Sequence, residues 1–335
     1  MPPPAMPSPD IIFDTLFAYQ RSRALKAAVD LDFFTAIDEG AHTAAAVAKR
    51  SGAAERGARI LCDYLTVLGL LQKADGAYHL TPVSAAFLSK RSPAYLGTTT
   101  TFLLLPELTK NFDDLTGAVK RGGVAPAGNT VADENPIWVE FARAMAPMMM
   151  PAAHAIAELV AGPSTGAVRV LDIAAGHGMF GITVAQRNPR AEIVAVDWAP
   201  VLAVAEENAR ANGVGDRFRA LPGDAFKVDF GSDYDLALVT NFLHHFDHAT
   251  CTTFLRKINA ALKPGGRVAI LEFVPNPDRV SPPIAAGFSV TMLAGTPSGD
   301  AYTFAELRQQ LEDAGFSNVS TQMLPTQQTI LLAQK

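Results

Sequence analysis

The sequence predicts a two-domain α/β protein with a helical first half and a doubly wound, mostly parallel seven-stranded sheet in its second half. Three observations lead to this prediction. The chain has 335 residues, about twice the size of a common domain. Apolar residues recur at three- and four-residue intervals from Ile11 to about Glu158, which is typical of amphipathic helices. After Gly162, short apolar runs alternate with helical segments, which is typical of a parallel sheet covered by helices.

The composition excludes several classes of protein. Hydrophobic residues make up 49% and charged residues 18%, so a disordered chain is excluded. The formal net charge of −5 gives no electrostatic case for nucleic acid or an anionic membrane. Residues 1–10 lack the basic and apolar segments of a signal peptide, and two cysteines are too few for a disulfide framework. A soluble cytoplasmic protein is therefore expected.

The first half is expected to contain a winged-helix-like domain over residues 11–97, after a loose N-terminus over residues 1–10. Helices are predicted over Ala44–Arg50 and Glu55–Leu70. A hairpin around the Asp75-Gly76 turn follows them. The second helix carries only Arg56 and Arg59 as basic residues, which is a weak footprint for DNA phosphates. Further helices over 98–122 and 135–160 form a helical segment that ends at residue 162.

Residues 163–335 are expected to form the sheet domain. Strands are predicted over Val168–Ile173, Glu192–Val196, Phe218–Leu221, Leu236–Asn241, Arg267–Phe273, Asn318–Leu324 and Gln328–Ala333. Helices are predicted over Phe180–Arg187, Ala199–Asn212, Thr250–Leu262 and Thr303–Ala314. No helix separates the last two strands, so the final strand must return as a hairpin and lie antiparallel.

A ligand turn follows the first strand of this domain. Gly176, Gly178 and Gly181 have the G-x-G-x-x-G spacing, and Asp197 ends the second strand 21 residues after Gly176. That spacing alone also suits a nicotinamide site. Asp172 argues for another ligand, because a carboxylate at the start of the turn would repel a pyrophosphate. The pattern therefore indicates a nucleoside that carries positive charge and no phosphate.

Two further features favour a nucleoside. Asp224 follows the third strand, where its carboxylate can accept a hydrogen bond from an adenine amino group. Trp198 follows Asp197 and offers a flat face to a base.

With these residues the chain resembles, over about residues 12–335, the two-domain class I S-adenosylmethionine-dependent O-methyltransferases of small molecules. This group includes plant phenolic and bacterial secondary-metabolite enzymes. The resemblance implies S-adenosylmethionine as cofactor and a Rossmann-like methyltransferase fold. The expected cofactor-binding residues are Asp172, Gly176, Gly178, Asp197, Trp198, Asp224, Ala225, Phe226 and Asn241. The family often has glycine where this chain has Ala174, and an alanine is tolerated there if its φ angle is negative.

Three histidines, His244, His245 and His248, follow the fourth strand. They are open to three interpretations: structural residues, a metal site of His244 and His248 if the segment is helical, or a general base. The resemblance favours the base. His244 matches the family's catalytic histidine, and Glu272 matches the acid that orients it. His245 replaces an aspartate and Phe246 a tryptophan, while a second acid of many relatives falls on Ala301, beside Asp300. No metal is required.

The resemblance also implies an apolar acceptor pocket and a dimer. Phe141 and Met145 match a pocket-lining segment, and Phe288 and Met292 lie where relatives close over the acceptor. The expected acceptor-binding residues are Phe141, Met145, Met148, His245, Phe288 and Met292. The N-terminal domain is expected to form a homodimer through apolar residues of its first helix, from Ile11 to Phe17.

The sequence thus predicts an enzyme that methylates a hydroxyl of a small, aromatic secondary metabolite. Three alternatives remain open at this point. Methylation at carbon or nitrogen uses the same fold. A non-catalytic winged-helix regulator that senses a nucleoside is a second alternative. A nicotinamide oxidoreductase is the third, and Asp172 and the antiparallel last strand disfavour it.

Overall fold

The structure is a computed structural model that describes residues 7–161, 166–326 and 328–335. It divides into two compact units, of which the first ends at Leu105 and the second begins at Pro106. The predicted boundary at residues 162 and 163 and most of the predicted loose N-terminus lie outside the described residues. The helical segment from Pro106 onward belongs to the second unit, which also contains the large sheet. Its long helix, Ala146–Ala161, packs against the helix Met179–Arg187 of that unit.

The first unit contains the predicted helix–helix–hairpin arrangement. Its helices are α1 (Asp10–Leu16), α2 (Ala18–Asp30), α3 (Phe33–Asp38), α4 (Ala44–Ser51), α5 (Glu55–Val67), α6 (Pro82–Phe87) and α7 (Thr99–Leu103), and its strands are β1 (Leu71–Ala74) and β2 (Ala77–Leu80). Thr43 caps α4 through the backbone N–H of Ala46. Asp75 and Gly76 have φ angles of 49° and 78°, which suit the tight turn of a two-residue hairpin.

The start of α1 leaves large apolar side chains in contact with solvent. Ile11 is 76% exposed, Phe13 52% and Phe17 49%. No residue of α1 is buried within the chain. An apolar surface of this kind is typical of a site for another protein surface.

The second unit begins with short helices. These are α8 (Pro106–Thr109), a 3₁₀ helix (Lys110–Asp114), α9 (Leu115–Arg121), a 3₁₀ turn (Pro126–Gly128), α10 (Ile137–Ala144) and α11 (Ala146–Ala161). The segments 98–122 and 135–160, for which helices are predicted, are thus divided into several separate helices. Pro106 lacks an N–H and disfavours the helical conformation of Leu105. Pro147 starts a new helix, where a missing N–H removes no hydrogen bond.

The sheet follows the prediction closely. Its elements are β3 (Val168–Ile173), α12 (Met179–Arg187), β4 (Ala191–Asp197), α13 (Ala199–Ala211), β5 (Phe218–Pro222), β6 (Tyr234–Thr240), α14 (His248–Ala261), β7 (Leu262–Glu272), α15 (Pro283–Gly295), α16 (Phe304–Asp313), β8 (Ser317–Met323) and β9 (Thr329–Gln334). The strand order is β5-β4-β3-β6-β7-β9-β8. Strand β9 is antiparallel to both neighbours, which confirms the predicted final strand.

The strand order reverses between β3 and β6. From β3 the chain adds β4 and β5 on one side, and β6 and β7 then extend the sheet on the other. Ligands of open parallel sheets bind where the order reverses, outside the carboxyl ends of the strands.

In the part of the chain that the structure describes, no helix is both long and apolar enough to span a bilayer.

Ala174 does not meet the condition of a negative φ angle under which an alanine is tolerated at this position. Its φ is 50°, in the left-handed region that favours glycine. Together with Gly176 (φ 55°) and Gly178 (φ 73°), it curls the chain back after β3. The side chain is half-buried against the core of the sheet unit, which holds the residue in this conformation.

Ala174→Gly should therefore stabilise the protein relative to the neighbouring change Ala175→Gly. Left-handed backbone costs a residue with a Cβ about 1–2 kcal/mol, and glycine relieves that strain at residue 174 alone. Ala175 has no positive φ, so its change to glycine only adds chain entropy and removes a buried methyl. Urea unfolding should separate the two variants by at least about 1 kcal/mol. Equal destabilisation by both changes would contradict this explanation.

Candidate active site

The predicted catalytic residues and several predicted cofactor-binding residues lie at one edge of the sheet because four parallel strands end there. Asp172 lies near the end of β3, Asp197 ends β4, and Glu272 ends β7. Asn241 and His244 follow the end of β6, which lies between β3 and β7. Residues up to 100 positions apart in the sequence are thus gathered at the point where the strand order reverses.

The glycine turn is held by backbone hydrogen bonds to the two aspartates. Gly176 N–H donates to Asp197 Oδ2 at 2.9 Å, and Trp198 N–H donates to Asp197 Oδ1 at 2.7 Å. Gly181 N–H donates to Asp172 Oδ2 at 3.0 Å. A Cβ at Gly176 would lie 3.2 Å from the ring of Phe141, so the packing as well as the φ angle favours glycine.

The carboxylates of this turn are unusually poor acids. Burial raises the pKa of Asp172 to about 8 and that of Asp197 to about 6. Asp172 Oδ1 is buried and has no hydrogen-bond partner among the described residues. An unpartnered acceptor beside a second carboxylate suits a ligand with a cationic donor group and hydroxyls, as S-adenosylmethionine has. The residues present therefore fit this cofactor.

The raised pKa of Asp172 predicts a pH-dependent stability. The folded state holds this proton more tightly than the unfolded chain, whose aspartates titrate near 3.8. The Asp172 contribution to the free energy of unfolding is therefore fully present below about pH 4 and is lost as the pH rises to about 8. His177, whose pKa burial lowers to about 4, gives the opposite slope between about pH 4 and 6.5.

Comparison with Asp172→Asn isolates this effect, because the amide keeps an acceptor for Gly181 N–H and does not ionise. The melting temperature of the wild type should fall relative to that of the variant between about pH 5 and 8. Parallel curves for the two proteins would show that Asp172 ionises normally in the folded state.

Asp224, Ala225 and Phe226, which are predicted to bind the adenine end of the cofactor, are held in position by contacts with residues near them in the fold. Asp224 accepts from Phe226 N–H at 2.9 Å and pairs with Lys227 at 2.9 Å. Burial raises the pKa of Asp224, but the Lys227 hydrogen bond, the Phe226 N–H and the positive charges of Lys227 and Lys257 together outweigh burial and lower that pKa. The Phe226 ring packs 4.8 Å from that of Phe246, so the aromatic residue that replaces the family's tryptophan supports this segment. The structure thus places Asp224, Ala225 and Phe226 in one turn after β5.

Two other predicted cofactor-binding residues have different surroundings. Trp198 is the N-cap residue of α13 and packs on a small cluster with Ala142 and Trp138. Asn241 has a φ of 55°, and its side-chain Oδ1 accepts from Gln328 Nε2 at 2.7 Å. The strained backbone of Asn241 turns the chain sharply between β6 and the histidines.

His244 and Glu272 form the central polar pair of the site. His244 Nδ1 lies 2.5 Å from Glu272 Oε2, and both side chains are almost completely buried. Glu272 Oε1 also accepts backbone N–H groups of Phe242 at 3.1 Å and Leu243 at 2.8 Å. One carboxylate therefore holds both the imidazole and the 3₁₀ turn (Leu243–His245) that carries it.

His244 has no second carboxylate among its described contacts. Asp300 pairs with Arg279 at 3.3 Å and accepts from Ala301 N–H at 2.8 Å. Asp300 thus has other partners, and Ala301 is buried at the position of the missing acid. The structure gives no support to Asp300 as its replacement.

The metal interpretation required a helix through His244 and His248. The 3₁₀ turn ends at His245, and Asp247 caps a new helix that begins at His248. The two histidines therefore do not share one helical face. Across residues 7–161, 166–326 and 328–335 no cluster of three potential metal-ligating side chains occurs.

A continuous series of ring contacts runs from the glycine turn to His244 and beyond. We call it the aromatic wall, and its members are His177, Phe141, Trp138, His245, His244, Phe288 and Phe273, with successive ring centroids 4.2–5.9 Å apart. Predicted acceptor residues Phe141, His245 and Phe288 belong to it. Met145 and Met292 are buried and Met148 is half-buried. No described ring or polar contact joins these three methionines to His244.

Three members of the wall, Trp138, His177 and Phe273, are not among the site residues predicted from the sequence. Trp138 lies three residues before Phe141, so both side chains share one face of α10, and this spacing was available as a signal. His177 lies between the two glycines of the turn.

His245 is a neutral ring in the aromatic wall, because burial and the neighbouring His244 hold its pKa well below its usual value.

An open sheet with carboxylates at successive strand ends and a buried His–Glu pair defines a nucleoside-binding α/β enzyme. Comparison with known proteins identifies its family. The O-methyltransferase domain matches residues 123–317, and the O-methyltransferase dimerisation domain matches residues 13–90. The chain therefore belongs to the O-methyltransferase family, and it is an S-adenosylmethionine-dependent methyltransferase.

Individual relatives agree with this assignment. The 3-hydroxy-5-methyl-1-naphthoate 3-O-methyltransferase of Streptomyces sahachiroi is 29% identical over 95% of this chain and 92% of its own length. The crystal structure of a candidate O-methyltransferase from Nostoc punctiforme is 52% identical, has a TM-score of 0.94, and covers 99% of this chain and 100% of that one. Human N-acetylserotonin methyltransferase in complex with S-adenosylmethionine shares the fold, with a TM-score of 0.84 at 22% identity over 100% and 99% of the chains.

Proposed function

We propose that this enzyme methylates a hydroxyl of a small aromatic acceptor and that His244 is the general base. The observation that carries the proposal is the buried His244–Glu272 pair at the point where the strand order reverses. The naphthoate acceptor in the name of the Streptomyces sahachiroi relative supports an aromatic acceptor. The aromatic wall supports it as well, because flat rings pack well on ring edges and faces.

The pair can perform the proton transfer that O-methylation needs. When Glu272 accepts from His244 Nδ1–H, the lone pair of Nε2 is left free to take the hydroxyl proton. The imidazolium that forms is then stabilised by the Glu272 carboxylate. S-adenosylmethionine supplies an activated methyl group when it is bound. The protein's remaining task is to align the two reactants and exclude water, for which the buried, apolar surroundings of His244 are suited.

We assign the cofactor to the glycine turn, with Asp172, Gly176 and Gly178 around its methionine part and Asp197 at its ribose. Asp224 and Phe226 take the adenine end, with Trp198, Ala225 and Asn241 beside them. The support is the set of carboxylates and glycines gathered at the ends of β3, β4 and β5.

The test has two stages. Calorimetry with S-adenosylhomocysteine should show binding at one site per chain. A turnover screen of phenolic and other hydroxylated aromatic metabolites with labelled S-adenosylmethionine should then show label on oxygen. Label on carbon or nitrogen of the product would overturn the proposed O-methylation. Absence of S-adenosylhomocysteine binding would overturn the cofactor site.

We also propose that the chain is a homodimer through its N-terminal domain. The exposed apolar residues Ile11, Phe13 and Phe17 support this assignment, as does the match to the dimerisation domain. Light scattering should give twice the chain mass of 35.5 kDa. Phe13→Glu with Phe17→Glu should give the monomer mass. A wild-type protein that is monomeric at micromolar concentration would contradict the proposal.

A further inference from the structure

His177 has a polar atom that neither the fold nor the proposed chemistry accounts for. The ring is 1% exposed, and its Nδ1 accepts the backbone N–H of Met179 at 3.1 Å. An imidazole that accepts at Nδ1 and stays neutral must carry its proton at Nε2. Burial lowers the pKa of His177 to about 4, which keeps it neutral. Nε2–H is therefore a buried donor, and it has no acceptor among the described residues.

The ring is held rigidly. It stacks on Phe141 with centroids 5.9 Å apart and planes at 15°, and it contacts Phe180 at 5.7 Å. The backbone carbonyl of His177 accepts from Asn208 Nδ2 at 2.9 Å. A donor fixed in this way is pre-organised, so a ligand that meets it loses little free energy in ordering the side chain.

The same turn also holds an unpartnered acceptor. Asp172 Oδ1 is buried without a partner, five residues before His177 and at the start of the turn. The described side chains of the turn thus leave one donor and one acceptor unsatisfied. Buried polar groups in folded proteins normally have hydrogen-bond partners, so a complementary pair of exceptions at a ligand site points to the ligand.

The chemistry of the pair matches an amino-acid zwitterion. An ammonium group donates to Asp172, and its positive charge favours the ionised carboxylate over the protonated form that burial favours. A ligand carboxylate accepts from a donor such as His177. The backbone N–H groups of Gly176 and Gly181 already donate to Asp197 and Asp172, so a ligand carboxylate at this turn needs another donor, which His177 supplies. The neutral ring supplies that donor without adding a charge that would repel the ammonium or the sulfonium.

We propose that His177 is a cofactor-binding residue whose Nε2–H donates to the methionine carboxylate of S-adenosylmethionine, while Asp172 accepts from the ammonium group. The inference rests on the proposed placement of the cofactor at the glycine turn. It assigns to His177 the recognition of the amino-acid end of the cofactor and leaves the nucleoside end to Asp197 and Asp224.

Two ligands and two variants test the proposal by calorimetry. S-adenosylhomocysteine contains the amino-acid group, and 5′-methylthioadenosine has the same nucleoside and sulfur without it. His177→Asn can keep an acceptor for Met179 N–H but has no donor at the Nε2 position. His177→Gln is the matched variant, because its longer amide can place a donor near that position. Thermal melting verifies that each variant is folded.

His177→Asn should weaken S-adenosylhomocysteine binding about 10- to 100-fold, the usual effect of losing a hydrogen bond to a charged group. Methylthioadenosine affinity should stay within about twofold, and His177→Gln should keep most of the S-adenosylhomocysteine affinity. Equal weakening of both ligands, or no weakening of either, would overturn the role of His177. If the wild type binds methylthioadenosine but not S-adenosylhomocysteine, the zwitterion site is wrong, whereas failure to bind either ligand contradicts the proposed cofactor site itself.

Discussion

His244→Asn should lower kcat about 10²–10⁴-fold, the usual contribution of a positioned general base. The asparagine amide can still donate to Glu272 from the position of Nδ1, so the buried carboxylate keeps a partner. The variant has no atom in the place of Nε2, and the acceptor hydroxyl must lose its proton to solvent. Because the change leaves the glycine turn untouched, the affinity for S-adenosylhomocysteine should not change.

Steady-state turnover with labelled S-adenosylmethionine measures this effect, and the pH dependence separates its causes. Activity of the variant should rise with pH as the acceptor hydroxyl ionises without help. The matched control is His248→Asn, which removes an exposed imidazole four residues further on and should keep the wild-type rate within about twofold. A variant at His244 with near-normal kcat would show that the acceptor reaches the site already ionised.

Glu272→Gln should abolish most activity while leaving the fold largely stable. Backbone N–H groups of Phe242 and Leu243 face Oε1, so they fix the amide with its oxygen toward them and its NH₂ toward His244. Nδ1 of His244 must then accept, and its proton moves to Nε2, where a base needs a lone pair. A wrong tautomer of this kind costs up to about 10⁴-fold in a catalytic triad whose aspartate is changed to asparagine.

Glu272→Leu is the informative comparison for this prediction. Leucine leaves two buried N–H groups and the imidazole without an acceptor, so the free energy of unfolding should fall by about 3 kcal/mol or more. Glu272→Gln should lose kcat with a much smaller change in urea stability. Similar loss of stability in both variants would mean that Glu272 acts mainly as a structural support of the 3₁₀ turn. Retained kcat in Glu272→Gln would refute its role in setting the tautomer.

The strands were well predicted because the buried strands of a parallel sheet have an apolar sequence pattern that is easily recognised. Each of the seven predicted strands overlaps an observed one, and Val168–Ile173 has the same bounds in both. Buried strands are continuous apolar runs, and few other segments of this length share that pattern. The helices over 98–122 and 135–160 were less well predicted, since apolar periodicity continues across Pro106 and Met145 although the hydrogen-bonding pattern does not.

For the candidate site, the sequence predicted which residues take part, but it did not predict which atoms of these residues contact one another. The spacing of Gly176, Gly178 and Asp197 predicted a nucleoside turn, and the structure bonds Gly176 to Asp197. Nothing in the spacing indicates that Ala174 adopts a positive φ angle, because a residue with a Cβ rarely adopts that conformation. The sequence also could not predict that Nε2 of His177 has no hydrogen-bond partner among the described residues. This property depends on burial of the ring and on the hydrogen bond that Nδ1 accepts.

The sequence by itself predicted the fold class and the family resemblance, and through that resemblance it indicated His244 and Glu272 as the proposed base and its acid. These follow from periodicity and from short motifs, which are local properties of the chain. Only the tertiary structure decided that Glu272 holds both the imidazole and the backbone of its turn, and that Trp138 joins Phe141 to His245. The physical reason is that the Glu272 contacts and the Trp138–His245 contact join residues 28 to 107 positions apart, and their geometry is set by strand order and packing rather than by neighbours in the sequence.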